Sequence, residues 1–289
     1  MLVKVALLLI HGIEIKTDKY AKKLENRIKQ YFKKNLEKKI ELAQEEVVIE
    51  RVFWKPVVDN LKNKLWEKIK DKNGLYKNAF KYALNFLSDG IIYQPVLWNN
   101  KNNSENSIIF AYDEINLLVS KALNNLFRRA GKEAPLCIVS HSLGSVIAYN
   151  YIKKIQEELN LELNSFFRSL VDNLVLFYTL GSPLAFYYLR EWGDYSIKIP
   201  SDKILKYYPS LKGFGGWFNF YSKHDLFAYP LNGLFPNTEV VDISIKVGNI
   251  IVRNTPFCHP YYWHDDKIIN HIASSLLKIY LLVNQRVFN

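Results

Sequence analysis

Leu136-Cys137-Ile138-Val139-Ser140-His141-Ser142-Leu143-Gly144-Ser145-Val146-Ile147-Ala148-Tyr149 runs from an apolar stretch, through a turn of small residues, into a second apolar stretch. The first stretch predicts a buried strand and the second a helix packed behind it. Ser142 stands at the apex of the turn between them. A serine hydroxyl is a poor nucleophile at its free pKa, so chemistry at serine needs a sharp turn that exposes the oxygen, a base beside it and donors for the oxyanion it creates. Positions two before and two after the apex must be small, because strand and helix pass close there, and Ser140 and Gly144 meet that demand. Ser140 stands where a Gly-x-Ser-x-Gly elbow would carry its first glycine. Taken alone, the string also suits a plain loop serine or a helix N-cap ahead of Leu143, so its reading depends on partners elsewhere in the chain.

Downstream, the aromatic run Trp217-Phe218-Asn219-Phe220-Tyr221-Ser222 reads as a strand, and Asp225 follows at its carboxyl end. Residues 240–245 and 249–252 read as a later strand pair. They lead into Asn254-Thr255-Pro256-Phe257-Cys258-His259-Pro260-Tyr261-Tyr262-Trp263-His264, and an amphipathic helix begins near Asp265. Nucleophile, acid and histidine thus occur in that order, each on a loop after a strand. The spacings leave room for strand-helix units between them. His259 and His264 are both available as the base.

At the amino end, Val3-Lys4-Val5-Ala6-Leu7-Leu8-Leu9-Ile10 is a nearly unbroken apolar run that stops at His11-Gly12-Ile13. It reads as a buried parallel strand. The backbone N–H groups of Gly12 and Ile13, with that of Leu143, are the candidate oxyanion donors, and His11 is read as shaping that loop.

Carried by Leu9-Ile10-His11-Gly12, the Ser140 to Ser145 elbow, Thr179-Leu180-Gly181-Ser182-Pro183-Leu184, Asp225 with Ala228-Tyr229-Pro230-Leu231, and His259-Pro260-Tyr261-Tyr262-Trp263, the chain resembles the serine-hydrolase branch of the α/β-hydrolase superfamily, near bacterial lipases and esterases. The likeness spans nearly the whole chain. It implies a catalytic triad of Ser142, Asp225 and His259. In such relatives the catalytic histidine precedes a Tyr-Trp pair by three residues, which selects His259 over His264. Each residue also has a plainer reading: Asp225 as a turn aspartate, His259 as a structural histidine with His264 the base, His141 as a locally bonded neighbour, His224 as exposed loop and His271 as structural on the last helix. His259, His264, Asp265 and Asp266 together could suggest a metal site, but no second cluster matches them, and the triad needs neither metal nor cofactor.

Strand-like runs alternate with helical patterns at residues 19–40, 108–130 and 267–283, which predicts an α/β fold with a mostly parallel, doubly wound sheet. In the first of these Leu24, Ile28, Phe32 and Leu36 repeat every four residues and form the core face. With 289 residues, of which 49% are hydrophobic and 15% aromatic, the chain suits a single domain over 1–289. Residues 55–106, with helical patterns at 57–70 and 75–87 and many aromatics, are a candidate cap insertion; plain packing reads them equally well. Residues 192–217, aromatic and glycine-rich, are expected to line an acyl pocket, and the polar stretch 101–106 is a surface loop.

The net charge is +11, and 20 of the 39 Lys and Arg, against 11 of the 28 Asp and Glu, fall in residues 1–81. This basic region is a candidate for peripheral contact with an anionic membrane surface. No nucleic-acid motif accompanies it, so nucleic acid is not the expected partner. With two cysteines, Cys137 and Cys258, a disulfide framework is not expected, and Cys137 reads as core. No apolar stretch reaches the length of a membrane span and residues 2–10 lack a cleavage site, so the cytoplasm is the expected location. The expected function is hydrolysis of a carboxylic ester, a small molecule or lipid with an apolar acyl group, through an acyl-enzyme. A thioesterase or acyltransferase with the same triad, or a non-catalytic lipid- or protein-binding module, are the alternatives.

Overall fold

The computed structural model describes residues 2–13, 15, 17–36, 46–69, 93, 107–157, 170–188, 196–235 and 237–288. Six strands form one sheet: β1 (Val5–Ile10), β2 (Val47–Val52), β3 (Leu136–His141), β4 (Leu174–Leu180), β5 (Gly216–Tyr221) and β6 (Val240–Ser244). Their order across the sheet is β2-β1-β3-β4-β5-β6, and every neighbouring pair is parallel. The molecule is therefore an α/β protein with a doubly wound parallel sheet.

Parallel strands need crossovers, and the crossovers cover both faces with helices, which is why β1, β3 and β4 are buried along their whole lengths. Strand alternation divides the apolar side chains between two cores. From β1, Ala6, Leu8 and Ile10 join one core, with Val58 of α2 (Lys55–Ile69), Ile115, Val119 and Leu123 of α3 (Ser107–Ala130) and Val146 and Ile147 of α4 (Leu143–Glu157). Val5, Leu7 and Leu9 join the other, with Leu24, Ile28, Phe32 and Leu36 of α1 (Lys22–Leu36). Ile268, Ile269, Ile272 and Leu276 of the long helix Asp266–Val283 complete that second core. That helix starts where the sequence reading placed it because Asp265 caps it, accepting hydrogen bonds from Lys267 N (2.9 Å) and Ile268 N (3.2 Å).

The winding reverses between β1 and β3: β2 lies on one side of β1, whereas β3 to β6 extend on the other. In open parallel sheets the loops diverge at such a point and leave a crevice beyond the carboxyl ends of the two strands. The β1 end carries His11-Gly12-Ile13 and the β3 end carries Ser142.

Two sequence expectations are corrected. Residues 249–252 form a turn instead of a strand, because the Asn249 side chain captures the backbone: Oδ1 accepts from Ile251 N (3.0 Å) and Val252 N (3.1 Å), while Arg253 N donates to Asn249 O (3.0 Å). The described part of 192–217 cannot line a pocket beside Ser142, because a parallel crossover must return to the amino edge before the next strand begins. Ser201 N accordingly donates to Leu174 O (3.2 Å), at the start of β4. Residues 70–92 and 94–106, most of the candidate cap, lie outside the described residues, as do 37–45. Tyr93 is buried, its ring 5.2 Å from that of Tyr112 on α3. No helix among the described residues is long and apolar enough to cross a membrane.

Candidate active site

Ser142 alone makes the turn from β3 into α4, and its φ of +52° is the one positive value at a non-glycine among the described residues. Such backbone costs about 1–3 kcal/mol and persists only where the surroundings over-determine it. Here they do. Ser142 N donates to Leu180 O at the end of β4 (2.9 Å), and Ser142 O accepts from Ser145 N (2.9 Å) and Ser145 Oγ (2.6 Å). Ser145 Oγ also meets Ser182 Oγ at 2.7 Å, tying the elbow to the loop after β4. Ser140 is buried, its hydroxyl donating to Tyr178 O (3.0 Å). A methyl group on Gly144 would lie 2.3 Å from His11 O, so the loop after β1 closes directly onto the first turn of α4 and excludes any side chain there.

Asp225 sits beyond β5 in a tight turn, where Asp225 N donates to Ser222 O (3.0 Å) and Oδ1 accepts from Phe227 N (3.0 Å). His259 lies in the 3₁₀ helix Pro256–His264, which Thr255 caps by accepting from Phe257 N (3.3 Å). His259 Nδ1 is 2.7 Å from Asp225 Oδ2 and Nε2 is 2.7 Å from Ser142 Oγ. A carboxylate can only accept, so Nδ1–H donates to Asp225. In the neutral ring Nε2 is then the acceptor, and the Ser142 hydroxyl donates to it. All three residues are buried. The Ser142 hydroxyl is committed to His259, not to capping the helix. His264 is exposed and is engaged through its carbonyl, which accepts from Lys23 Nζ (2.6 Å).

Three further residues support the site: His141 is the bonded neighbour that the sequence suggested, whereas the roles of Tyr262 and Trp54 were not legible from it. Tyr262, fully buried, donates its hydroxyl to Asp225 Oδ2 (2.9 Å), the same oxygen that faces His259, and accepts from Ser222 N (2.9 Å). Burial, and then the Asp225 charge, push its pKa far up, which keeps the proton available for donation. His141 Nε2–H donates to the carbonyl of His259 (2.9 Å), and the two rings lie 4.9 Å apart. Burial, followed by the neighbouring His259, holds the His141 pKa well below its ordinary value, so His141 is a neutral strut. Trp54, just after β2, holds the loop after β1: its indole donates to His11 O (2.8 Å), its backbone N donates to His11 Nε2 (3.2 Å), and its ring stacks on the His11 imidazole at 4.9 Å. His11 Nδ1–H donates to Gly12 O (2.6 Å), which fixes the neutral tautomer. Burial accordingly lowers the His11 pKa to about 4.

Gly12 is pressed against Ser142, where a methyl group would fall 2.5 Å from Ser142 Cβ and 2.9 Å from His141 O. Ile13 follows on the same loop and is half-buried. Leu143 is the first residue of α4, so its N–H has no carbonyl one turn earlier within the helix and is left for another acceptor. The sequence-derived residues Ser142, Asp225, His259, Gly12, Ile13, Leu143, His11, Ser140 and Gly144 therefore fall in one place, around the crevice between β1 and β3. Both cysteines are free and buried: Cys137 lies in β3, and Cys258, beside His259, has its thiol pKa raised by burial.

Fold and site together define an α/β protein with a hydrogen-bonded Ser-His-Asp chain at its topological switch point. Comparison with known protein families, with curated proteins and with solved structures finds no match to this chain.

Proposed function

We propose that the chain is a serine hydrolase of the α/β-hydrolase type that cleaves a carboxylic ester through an acyl-enzyme. The observation that carries this reading is the unbroken Ser142-His259-Asp225 hydrogen-bond chain beginning at a serine held at positive φ. A serine that served only in packing or capping would need neither the strained backbone nor a histidine oriented by a buried carboxylate.

In the first step Ser142 Oγ attacks the ester carbonyl carbon while His259 Nε2 takes its proton. Asp225 holds the imidazole by Nδ1 and stabilises the imidazolium. The N–H groups of Leu143 and of the Gly12-Ile13 loop receive the developing oxyanion, a contribution of about 2.7–4 kcal/mol per donor in comparable sites. Protonation of the leaving alcohol by His259 completes acylation, and water activated by the same nitrogen releases the acid. Phe227, whose ring lies 5.3 Å from that of His259, and the apolar side chains of the surrounding loops favour an uncharged acyl group.

The test is labelling of folded protein with a fluorophosphonate, followed by peptide mass spectrometry, alongside turnover of p-nitrophenyl esters of increasing chain length. An adduct on Ser142 with turnover is expected. Folded protein that forms no adduct and turns over no ester in the series would overturn the reading. Adding alcohols to the turnover assay separates hydrolysis from acyl transfer.

A further inference from the structure

The loop that carries His259 has two sides of opposite character. Inward, it places His259, Tyr262 and Trp263 in buried positions. Outward, it presents Ile250 (77% exposed), Ile251 (81%) and Phe257 (73%), the three most exposed large apolar side chains among the described residues. These residues are held in place by structure. Asn249 closes the turn under the two isoleucines, Thr255 N and Oγ1 both donate to Val252 O (2.9 Å each), and Phe257 N donates to Thr255 Oγ1. A methyl group on Gly248 would lie 3.5 Å from Tyr261 Cγ, so the turn rests against the segment that follows His259.

The apolar character continues along the same edge of the sheet. Leu226, directly after Asp225, is 59% exposed, and the exposed rings of Phe186 and Tyr229 pack edge to face at 5.0 Å. The parallel sheet sends the loops after β4, β5 and β6 out on one side, the side on which Ser142 lies.

The charge on this loop has one sign. From residue 243 to 264 there is no Asp or Glu, whereas Lys246 and Arg253 flank the isoleucine pair; both are exposed, and neither forms an ion pair among the described residues. A turn tip with two isoleucines between cations suits the boundary between anionic headgroups and acyl chains, where apolar side chains enter and Lys and Arg meet phosphate. A second copy of this chain fits less well, because an isologous contact would bring the same cations face to face.

We propose that the turn bearing Ile250 and Ile251, with Phe257, Leu226 and the flanking Lys246 and Arg253, docks the chain peripherally on an anionic lipid surface and turns the Ser142 crevice toward it. Docking stands on exposure and charge alone. Delivery of an ester from that surface to Ser142 rests on the hydrolase reading.

The experiment uses vesicles of phosphatidylcholine with and without phosphatidylglycerol, and Ser142→Ala protein so that lipid cleavage does not intervene. Flotation with the anionic vesicles and little with the neutral ones is expected. Adding Ile250→Asp and Ile251→Asp should lower binding roughly a hundredfold, the loss from withdrawing two isoleucines from an apolar phase. Lys246→Ala and Arg253→Ala should each lower it about fivefold. In the Ser142 background the isoleucine double variant should still take the fluorophosphonate label, which reports an intact fold and site. Absence of binding to anionic vesicles, or undiminished binding by the labelled double variant, would overturn the proposal; the latter moves the contact to the amino-terminal lysines. A concentration-dependent dimer without lipid, abolished by the same two substitutions, would also overturn it by naming a second copy as the occupant. Vesicle binding without any Ser142 label would leave docking standing and remove the hydrolase reading instead.

Discussion

The loop after β1 and the loop after β6 leave the same edge of one sheet and meet at the same serine, yet they are built on opposite plans. The first is enclosed where it meets the serine: His11 is fully buried, Trp54 holds it by two hydrogen bonds and a stacked ring, and Gly12 has no room for a side chain. The second is long, buried on its inner side and bare on its outer, with His259 within and Ile250, Ile251 and Phe257 outside. On the proposed reading, a loop that stabilises one oxygen atom requires fixed backbone, whereas a loop that holds an exchanging imidazole requires fixation only at that ring.

Four perturbations sharpen this contrast. The largest effect belongs to the proposed base: His259→Ala should lower kcat by about 10⁴-fold or more with the fold retained, because the members of such a triad act as a unit. His264→Ala, at an exposed position five residues on, should leave ester turnover near normal; steady-state turnover with circular dichroism compares the two. Near-normal turnover in His259→Ala would sink the triad assignment.

Next comes Gly12→Ala. Its new methyl group would overlap Ser142 Cβ at 2.5 Å, forcing the proposed oxyanion loop away from Ser142. A loss of about 10²–10³-fold in kcat is expected, comparable to removing one oxyanion donor, with a smaller change in KM.

The third tests the rigid loop by acid. Because His11 has its pKa lowered from 6.5 to about 4, the unfolded chain binds its proton first as pH falls. Its contribution is therefore complete above pH 6.5 and is lost progressively between there and about pH 4, by on the order of 3 kcal/mol. Denaturant unfolding across that range should reveal the slope, and His11→Gln should reduce it, leaving the part that belongs to His141, whose pKa burial also lowers.

The smallest effect concerns Tyr262→Phe. Removing its hydroxyl takes one donor from Asp225 Oδ2 and leaves Ser222 N–H without its acceptor, a stability loss of about 1–3 kcal/mol. Asp225 Oδ2 then loses one of the two hydrogen bonds that fix it beneath the His259 ring, so kcat should fall about five- to tenfold with KM little changed, whereas a purely structural tyrosine would leave kcat in place.

These residues also mark how far the sequence could be read. The parallel α/β sheet was legible in the unbroken apolar runs of β1 and β3, and the elbow in Ser140, Ser142 and Gly144, because burial on both faces and close strand-helix passage leave local signatures. The turn at 249–252 was misread because Ile250, Ile251 and Val252 have the composition of a strand; a hydrogen bond from the Asn249 side chain outweighs that composition, and no register partner was available to expose the error. Residues 192–217 were misplaced because their aromatic content carries no information about which sheet edge they occupy. The supports from Trp54 and Tyr262 join positions dozens of residues apart, a pairing that only the closed fold reveals.

The reversal of winding between β1 and β3 has a consequence for how such a chain can change. The proposed oxyanion loop belongs to the arm that winds toward β2, whereas Asp225, His259 and the apolar rim belong to the arm that winds toward β6. The two arms also pack against each other away from the elbow, with the ring of Tyr20 5.3 Å from that of Trp263 and Lys23 and Arg27 paired with Asp266. The exposed tip at 249–252 stands clear of such contacts among the described residues, so its length and composition can change while the loop after β1 keeps its hold on His11. In evolutionary terms the outer side of the loop after β6 is open to selection, whereas its inner side, with His259 and Tyr262, is held by its partners.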